Sequence, residues 1–261
     1  MDFNFKKSLG QNFLTDKNIL KKIVEVSNIK DNSLVIEIGP GSGNLTKEIA
    51  KKASQVLCYE IDTRLEEILD HELLEFNNVD IIFDDFLKRD IKNDLKNYSY
   101  DNLYLVANLP YYITTPIITK VIESSLPFKQ ITIMIQKEVG ERFVSKPNSK
   151  EYNSLTVYLN YYFDIKREFI VSRNAFIPKP NVDSIVISLH KKENQLYLKD
   201  KDLFNKLLRD SFKFKRKTIK NNLKNYDLDK INKILLKHGY SLTSRAEQIP
   251  LDVFVELANY L

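Results

Sequence analysis

Between residues 16 and 145 short apolar runs alternate with segments whose apolar residues recur at helical spacing, and this alternation constrains the fold more than any other feature. Residues 34–38, 55–61, 79–83, 103–107 and 131–135 read as strands. Residues 16–27, 45–53, 63–74, 117–124 and 137–145 read as the helices around them, with Pro116 early in its helix, where proline is tolerated. A strand that feeds a helix and then a parallel strand builds a doubly wound α/β sheet with helices on both faces. Residues 155–163 and 184–190 read as two more strands, closing a mostly parallel, seven-stranded sheet with an antiparallel edge pair. Beyond His190 the pattern is helical only, over about 201–208, 211–224, 229–238 and 244–260. The expected organisation is therefore a large α/β domain over residues 1–192 and a small all-helical domain over 193–261.

At 261 residues the chain is long enough for this division, and its 43% hydrophobic and 29% charged residues are ordinary for a globular protein. A single cysteine, Cys58, excludes an internal disulfide and fits a cytoplasmic setting. The first 13 residues carry lysines but no apolar stretch of the secretory kind, and no run approaches the roughly 20 apolar residues of a membrane span. The net charge of +5 is unevenly spread. Residues 191–261 hold 16 Lys and Arg against 9 Asp and Glu, so the rest of the chain is slightly acidic. A basic part beside a near-neutral one suggests a polyanionic partner.

The first strand runs into Glu37-Ile38-Gly39-Pro40-Gly41-Ser42-Gly43, which opens a helix. Glycines there permit a tight turn and close approach of a ligand to the backbone. Glu60 ends the second strand about 20 residues on, where an acid can bind two ribose hydroxyls. Asp84 and Asp85 end the third strand, placing Asp85 to accept a hydrogen bond from an adenine amine. A dinucleotide would bring a pyrophosphate, yet the mouth would carry Glu37, Glu60 and Asp85 and the loop no base. That charge suits a ligand with a sulfonium and an ammonium, S-adenosylmethionine, better than NAD.

Asn108-Leu109-Pro110-Tyr111 ends the fourth strand. The exocyclic amine of adenine is a poor nucleophile because its lone pair is delocalised into the ring. The side-chain oxygen of Asn108 and a backbone carbonyl, that of Leu109, can each accept one N–H, aiming the lone pair and stabilising the positive charge that develops. Pro110 fixes the chain direction, and Tyr111 can stack on the base. Further on, Phe176-Ile177-Pro178-Lys179-Pro180 makes a stiff loop whose Phe176 can form the second face of a clamp on an extruded base. His71, His190 and His238 stand apart, so no metal site is expected.

Taken together these residues resemble the KsgA-type ribosomal RNA adenine N6,N6-dimethyltransferase family along nearly the whole chain. Lys7 to Leu14 is similar to the family's segment that covers the cofactor. Residues 37–46 are similar to its glycine motif, Glu60 to its ribose acid and Asp85-Phe86-Leu87 to its adenine-binding segment. Asn108 to Tyr112 resembles the catalytic motif, while Gln136 to Val139 and Phe176 to Ser184 resemble later motifs. The resemblance implies a Rossmann-like methyltransferase that uses S-adenosylmethionine to dimethylate two adjacent adenines in a 3′-terminal hairpin of 16S rRNA. It also implies a role in small-subunit assembly. Cofactor contacts fall on Asn12, Leu14, Gly39, Gly41, Glu60, Asp85 and Asn108, and catalysis and base stacking on Asn108, Leu109, Pro110, Tyr111 and Phe176. Two positions depart: Asp84 stands where the family usually has glycine, and Tyr152-Asn153 where it has Tyr-Gly, a change suited to a left-handed backbone.

RNA contact is expected on the 211–224 helix, which has six basic residues and no acid. Leu208, Phe212, Ile219 and Leu223 fall on one face, and Lys213, Lys217, Lys220 and Lys224 form a stripe to one side. The expected partner is 16S rRNA in the small subunit or its precursor, bound by a monomer without a membrane. The competing readings are an Erm-type enzyme acting on large-subunit rRNA, and an assembly factor that transfers no methyl group.

Overall fold

The protein is described by a computed structural model over residues 11–261; residues 7–10 of the N-terminal motif lie outside the described residues. It divides into two compact units. The first runs to Gly140 and resumes over Lys166–Lys191, and the second comprises Glu141–Ile165 and Lys192–Leu261. The chain therefore passes between units at three places, after Gly140, Ile165 and Lys191.

The first unit begins with β1 (Phe13–Leu14) and α1 (Lys17–Val26), whose N-cap Asp16 accepts from the backbone of Asn18 and Ile19. The alternation follows: β2 (Ser33–Ile38), α2 (Asn44–Ala50), β3 (Gln55–Glu60), α3 (Glu66–Glu72), β4 (Val79–Phe83), α4 (Ile91–Asp94), β5 (Asn102–Asn108), α5 (Thr114–Glu123), β6 (Phe128–Gln136) and α6 (Lys137–Phe143). Every residue of β2 is buried, which explains its unbroken apolar run: a strand covered on both faces has no polar side.

Past α7 (Ser154–Tyr162) come β7 (Phe163–Val171), β8 (Phe176–Ile177) and β9 (Ser184–Lys191). The seven-stranded sheet has the order β4-β3-β2-β5-β6-β9-β7, parallel from β4 to β6 and antiparallel between β6 and β9. Because β3 and β5 flank β2 on opposite sides, the strand order reverses at β2, and a crevice opens beyond the carboxyl ends there.

One strand was assigned from sequence where the structure has a helix. Residues 155–163, rich in Tyr, Val and Thr, form α7 up to Tyr162, and the strand is the following segment, β7. A capping box outweighs β-propensity: Asn153 accepts from Leu155 N (2.9 Å) and Thr156 N (3.1 Å), and Thr156 Oγ1 accepts from Asn153 N (3.3 Å). Asn153 is extended (φ −151°), so the asparagine serves as a cap and not as a left-handed residue. Val157 and Tyr161, four residues apart, then enter the second unit's core together with Tyr152.

That core is completed by α8 (Lys201–Phe212), α9 (Ile219–Asn222), α10 (Leu228–Lys237) and α11 (Leu251–Tyr260). The single helix expected over 211–224 is broken. The Asn222 side chain donates to Ser211 O (2.7 Å) and Phe214 O (3.2 Å) and accepts from Phe214 N (3.2 Å), holding residues 213–218 as a loop. Four positive charges within 213–217, with no acid to pair along a helix, remove any reason to continue it. Ile219 and Leu223 are still fully buried, as the apolar pattern required. Among the described residues no helix is long and apolar enough to cross a membrane.

Candidate active site

A cleft of the first unit lies at the crevice beyond β2, β3, β4 and β5. It brings together Asn12, Leu14, Gly39, Gly41, Glu60, Asp85, Asn108, Leu109, Pro110 and Tyr111 from segments far apart in sequence. Gly39 (φ +72°) and Gly41 (φ +59°) adopt backbone that other residues resist. At Gly41 space also matters, since a Cβ would lie 2.9 Å from the Phe13 ring.

Glu60, at the end of β3, is held by two backbone donors: Asp62 N on Oε1 (2.9 Å) and Gly41 N on Oε2 (3.1 Å). Each oxygen keeps a lone pair that can accept a further hydrogen bond. Burial pushes its carboxyl above the usual range, while these N–H groups pull the other way. Glu37, by contrast, is 1% exposed under the glycine loop. Burial is the main cause that raises its carboxyl from 4.5 to about 8, and Cys58 Sγ donates to its Oε2 (3.7 Å). Burial thus favours the neutral form of Glu37.

Asp85 caps the turn after β4, accepting from Leu87 N on Oδ1 (3.0 Å). Asp84 has a structural account: Oδ1 accepts from Asp85 N (2.7 Å) and Oδ2 from Arg89 (3.3 Å). Arg89 also holds Asp94 through two nitrogens (2.5 and 3.1 Å), and Lys120 donates to Leu87 O (2.9 Å) and Arg89 O (2.7 Å). The carboxylate thus stiffens the segment that presents Asp85. The Asp85 backbone N–H and Arg89 keep the Asp84 carboxyl below its ordinary range.

Asn108, the last residue of β5, donates through Nδ2 to the carbonyl of Asn12 (3.2 Å). A carbonyl can only accept, so this bond sets the amide orientation and leaves Oδ1 as the acceptor on the cleft wall. Tyr111 is half-buried and its hydroxyl is tied to Ser184 Oγ (2.8 Å). Its neighbour Tyr112, the last residue of the same motif, is 56% exposed on the same cleft. Gln11 and Asp62 were missed: Gln11 Nε2 donates to Asp62 Oδ2 (2.8 Å), tying the N-terminal segment to the end of β3. The Arg64 guanidinium on Asp62 lowers that carboxyl to about 2. No local pattern announces a pair 51 residues apart.

Phe176 is not on the cleft wall. It is 3% exposed and packs with Leu14, Leu20 and Val171 in the core, so its ring presents no face to a base in this conformation. β8 pairs with β1, so that Phe176 stands opposite Leu14.

In the second unit, Lys213 and Lys217 lie in the loop after α8, Lys220 in α9 and Lys224 just beyond it, all exposed. With the helix broken they form no single stripe. Lys215 and Arg216 join them, and Phe214 is 57% exposed among them.

No Lys, Arg or His is found among the described residues that line the cleft, whereas Glu60 and Asp85 both do. The donor set therefore fits a ligand carrying ribose, an adenine amine and positive charge, and fits a pyrophosphate poorly.

Comparison with known proteins agrees with this chemistry. The profile of the family described as ribosomal RNA adenine dimethylase matches residues 2–261. Ribosomal RNA small subunit methyltransferase A of Streptococcus pneumoniae is 45% identical over 268 aligned positions, spanning 99% of this chain and 92% of its own. Among solved structures, a dimethyladenosine transferase from Plasmodium falciparum superposes with a TM-score of 0.79 at 28% identity, covering 94% of this chain and 95% of its own. The 23S rRNA methyltransferase ErmE gives a TM-score of 0.74 at 25% identity, covering 96% and 99%. With its full-length profile match and its seven-stranded, mostly parallel sheet, the chain belongs to the ribosomal RNA adenine dimethylase family.

Proposed function

We propose that the protein uses S-adenosylmethionine to dimethylate the exocyclic amines of two adjacent adenines in a 3′-terminal hairpin of 16S rRNA, and that it acts during small-subunit assembly. The observation that carries this reading is the Asn108 amide, oriented by Asn12 so that Oδ1 faces the cleft that also holds Glu60 and Asp85. The bound cofactor supplies an electrophilic methyl group on a sulfonium. Glu60 accepts from the ribose hydroxyls, and Asp85 accepts from the cofactor's adenine amine. Asn108 Oδ1 and the Leu109 carbonyl each accept one N–H of the target amine. This draws its lone pair out of conjugation and stabilises the charge that forms on nitrogen. Pro110 sets the direction of the chain, and Tyr111, fixed through Ser184, gives the base a flat surface.

The first unit is thus the catalytic one, and the basic loop and α9 of the second unit bind rRNA phosphates. Fold alone does not separate this reading from an Erm-type activity, because ErmE superposes over nearly the whole chain. The 45% identity to a small-subunit enzyme favours the small subunit.

The test is methyl transfer from labelled S-adenosylmethionine to under-methylated small subunits, with large subunits and naked rRNA in parallel. Dimethyladenine in small-subunit rRNA, lost in Asn108→Ala, is the expected result. Label confined to large subunits would establish the Erm-type activity instead. Cofactor binding without any transfer would leave the assembly role alone.

A further inference from the structure

Residues 212 and 214 are both phenylalanine, and the structure treats them oppositely. Phe212 packs against the second unit's core, its ring 5.7 Å from that of Phe254 and 6.1 Å from that of Tyr152. Phe214 is left 57% exposed, and its backbone is held in that place. Its N–H donates to Asn222 Oδ1 (3.2 Å), and its carbonyl accepts from Asn222 Nδ2 (3.2 Å) and from Lys217 N (2.9 Å). The bond from Lys217 closes a turn over residues 214–217. Asn222, at the end of α9, also donates to Ser211 O in α8 (2.7 Å), so both flanking helices fix the turn. Lys213, Lys215, Arg216 and Lys217 around the ring are all exposed, and Lys213 Nζ stands 5.7 Å from the ring centroid.

An exposed ring keeps apolar surface in water until a partner covers it. Four positive charges within five residues specify the chemistry of that partner: an anion that also presents planar apolar faces. Duplex RNA supplies the charge, but its base faces are stacked inside the helix. Unpaired RNA supplies both.

We propose that Phe214 is a stacking platform for an unpaired base of the bound rRNA, with the cations of its turn taking the phosphates on either side. The proposal rests on the reading of the second unit as an rRNA-binding one and goes beyond phosphate contact. Phosphates line paired and unpaired strands alike, whereas a free base face exists only where the RNA is unpaired. The fixed turn lowers the cost of ordering the ring on binding.

The experiment uses the full chain as wild type, Phe214→Leu and Phe214→Trp. Affinity is measured for under-methylated small subunits, for a blunt-ended RNA duplex and for vesicles rich in phosphatidylserine. Phe214→Leu keeps apolar volume without a π face, and is expected to bind subunits about tenfold more weakly. Phe214→Trp is expected to stay within about threefold of wild type, and on the duplex all three proteins should bind alike. The chain has no tryptophan, so Phe214→Trp carries a single indole, whose fluorescence should be quenched by protein-free 16S rRNA. Wild-type affinity of Phe214→Leu for subunits, or an unquenched indole, would overturn the proposal. So would an equal loss on the duplex, which would make the ring a support of the turn. An indole that responds to the vesicles and not to RNA would assign the patch to a membrane surface instead. If neutralising Lys215, Arg216 and Lys217 together leaves the salt dependence of subunit binding unchanged, the rRNA-binding reading itself falls, whatever the ring does.

Discussion

Replacing Glu37 by glutamine tests the electrostatics of the cleft through stability alone. The wild-type carboxyl ionises near 4.5 when exposed and near 8 when buried in the fold. A folded pKa above the unfolded one gives stability that is fully present below the unfolded value and lost as pH rises through the folded one. The loss runs at about 1.4 kcal/mol per pH unit between those limits and then levels off, for a total on the order of 5 kcal/mol. Glutamine keeps the shape, and like the neutral acid it offers one acceptor and a donor beside Thr46 and Cys58. The stability difference between the two proteins should therefore swing by about 4 kcal/mol in favour of the variant from pH 5 to pH 8, while titrations they share cancel. Urea unfolding followed by circular dichroism at several pH values measures it. Parallel profiles would mean that Glu37 is already ionised in the fold, and the cleft would then hold a third negative charge.

Gly41→Ala should weaken S-adenosylhomocysteine binding by about tenfold or more in calorimetry, because φ is +59° and the new Cβ would press on Phe13; unchanged affinity would show that the loop relaxes freely. Neutralising Lys215, Arg216 and Lys217 together should reduce the salt dependence of rRNA binding by about two to three ion contacts and leave cofactor affinity alone; an unchanged slope would place the RNA elsewhere.

Much of the first unit was legible because its signals are local. Buried parallel strands read as apolar runs, and positive-φ turns demand glycine, so residues 34–60 announced both the crevice and the buried acid at its edge, Glu60. Asn108 was legible because the chemistry of an adenine amine needs an acceptor at a strand end. Elsewhere local preference misled: Tyr, Val and Thr in α7 suggested a strand, whereas the cap at Asn153 and burial of Val157 and Tyr161 in the second unit's core made a helix. In 211–224 the apolar period held while the helix did not, since the Asn222 side chain took up the backbone groups around Phe214.

Periodicity and backbone sterics over a few residues fixed the parallel strands, the glycine turn and which residue types meet at the strands' carboxyl ends. Only the tertiary structure decided the state and aim of those groups. The charge of Glu37 depends on how completely the loop covers it, and the orientation of Asn108 on a carbonyl 96 residues away. The burial of Phe176 depends on the pairing of β8 with β1, distant in sequence. Desolvation and long-range pairing are set by what folds over a residue, which its neighbours in sequence do not record.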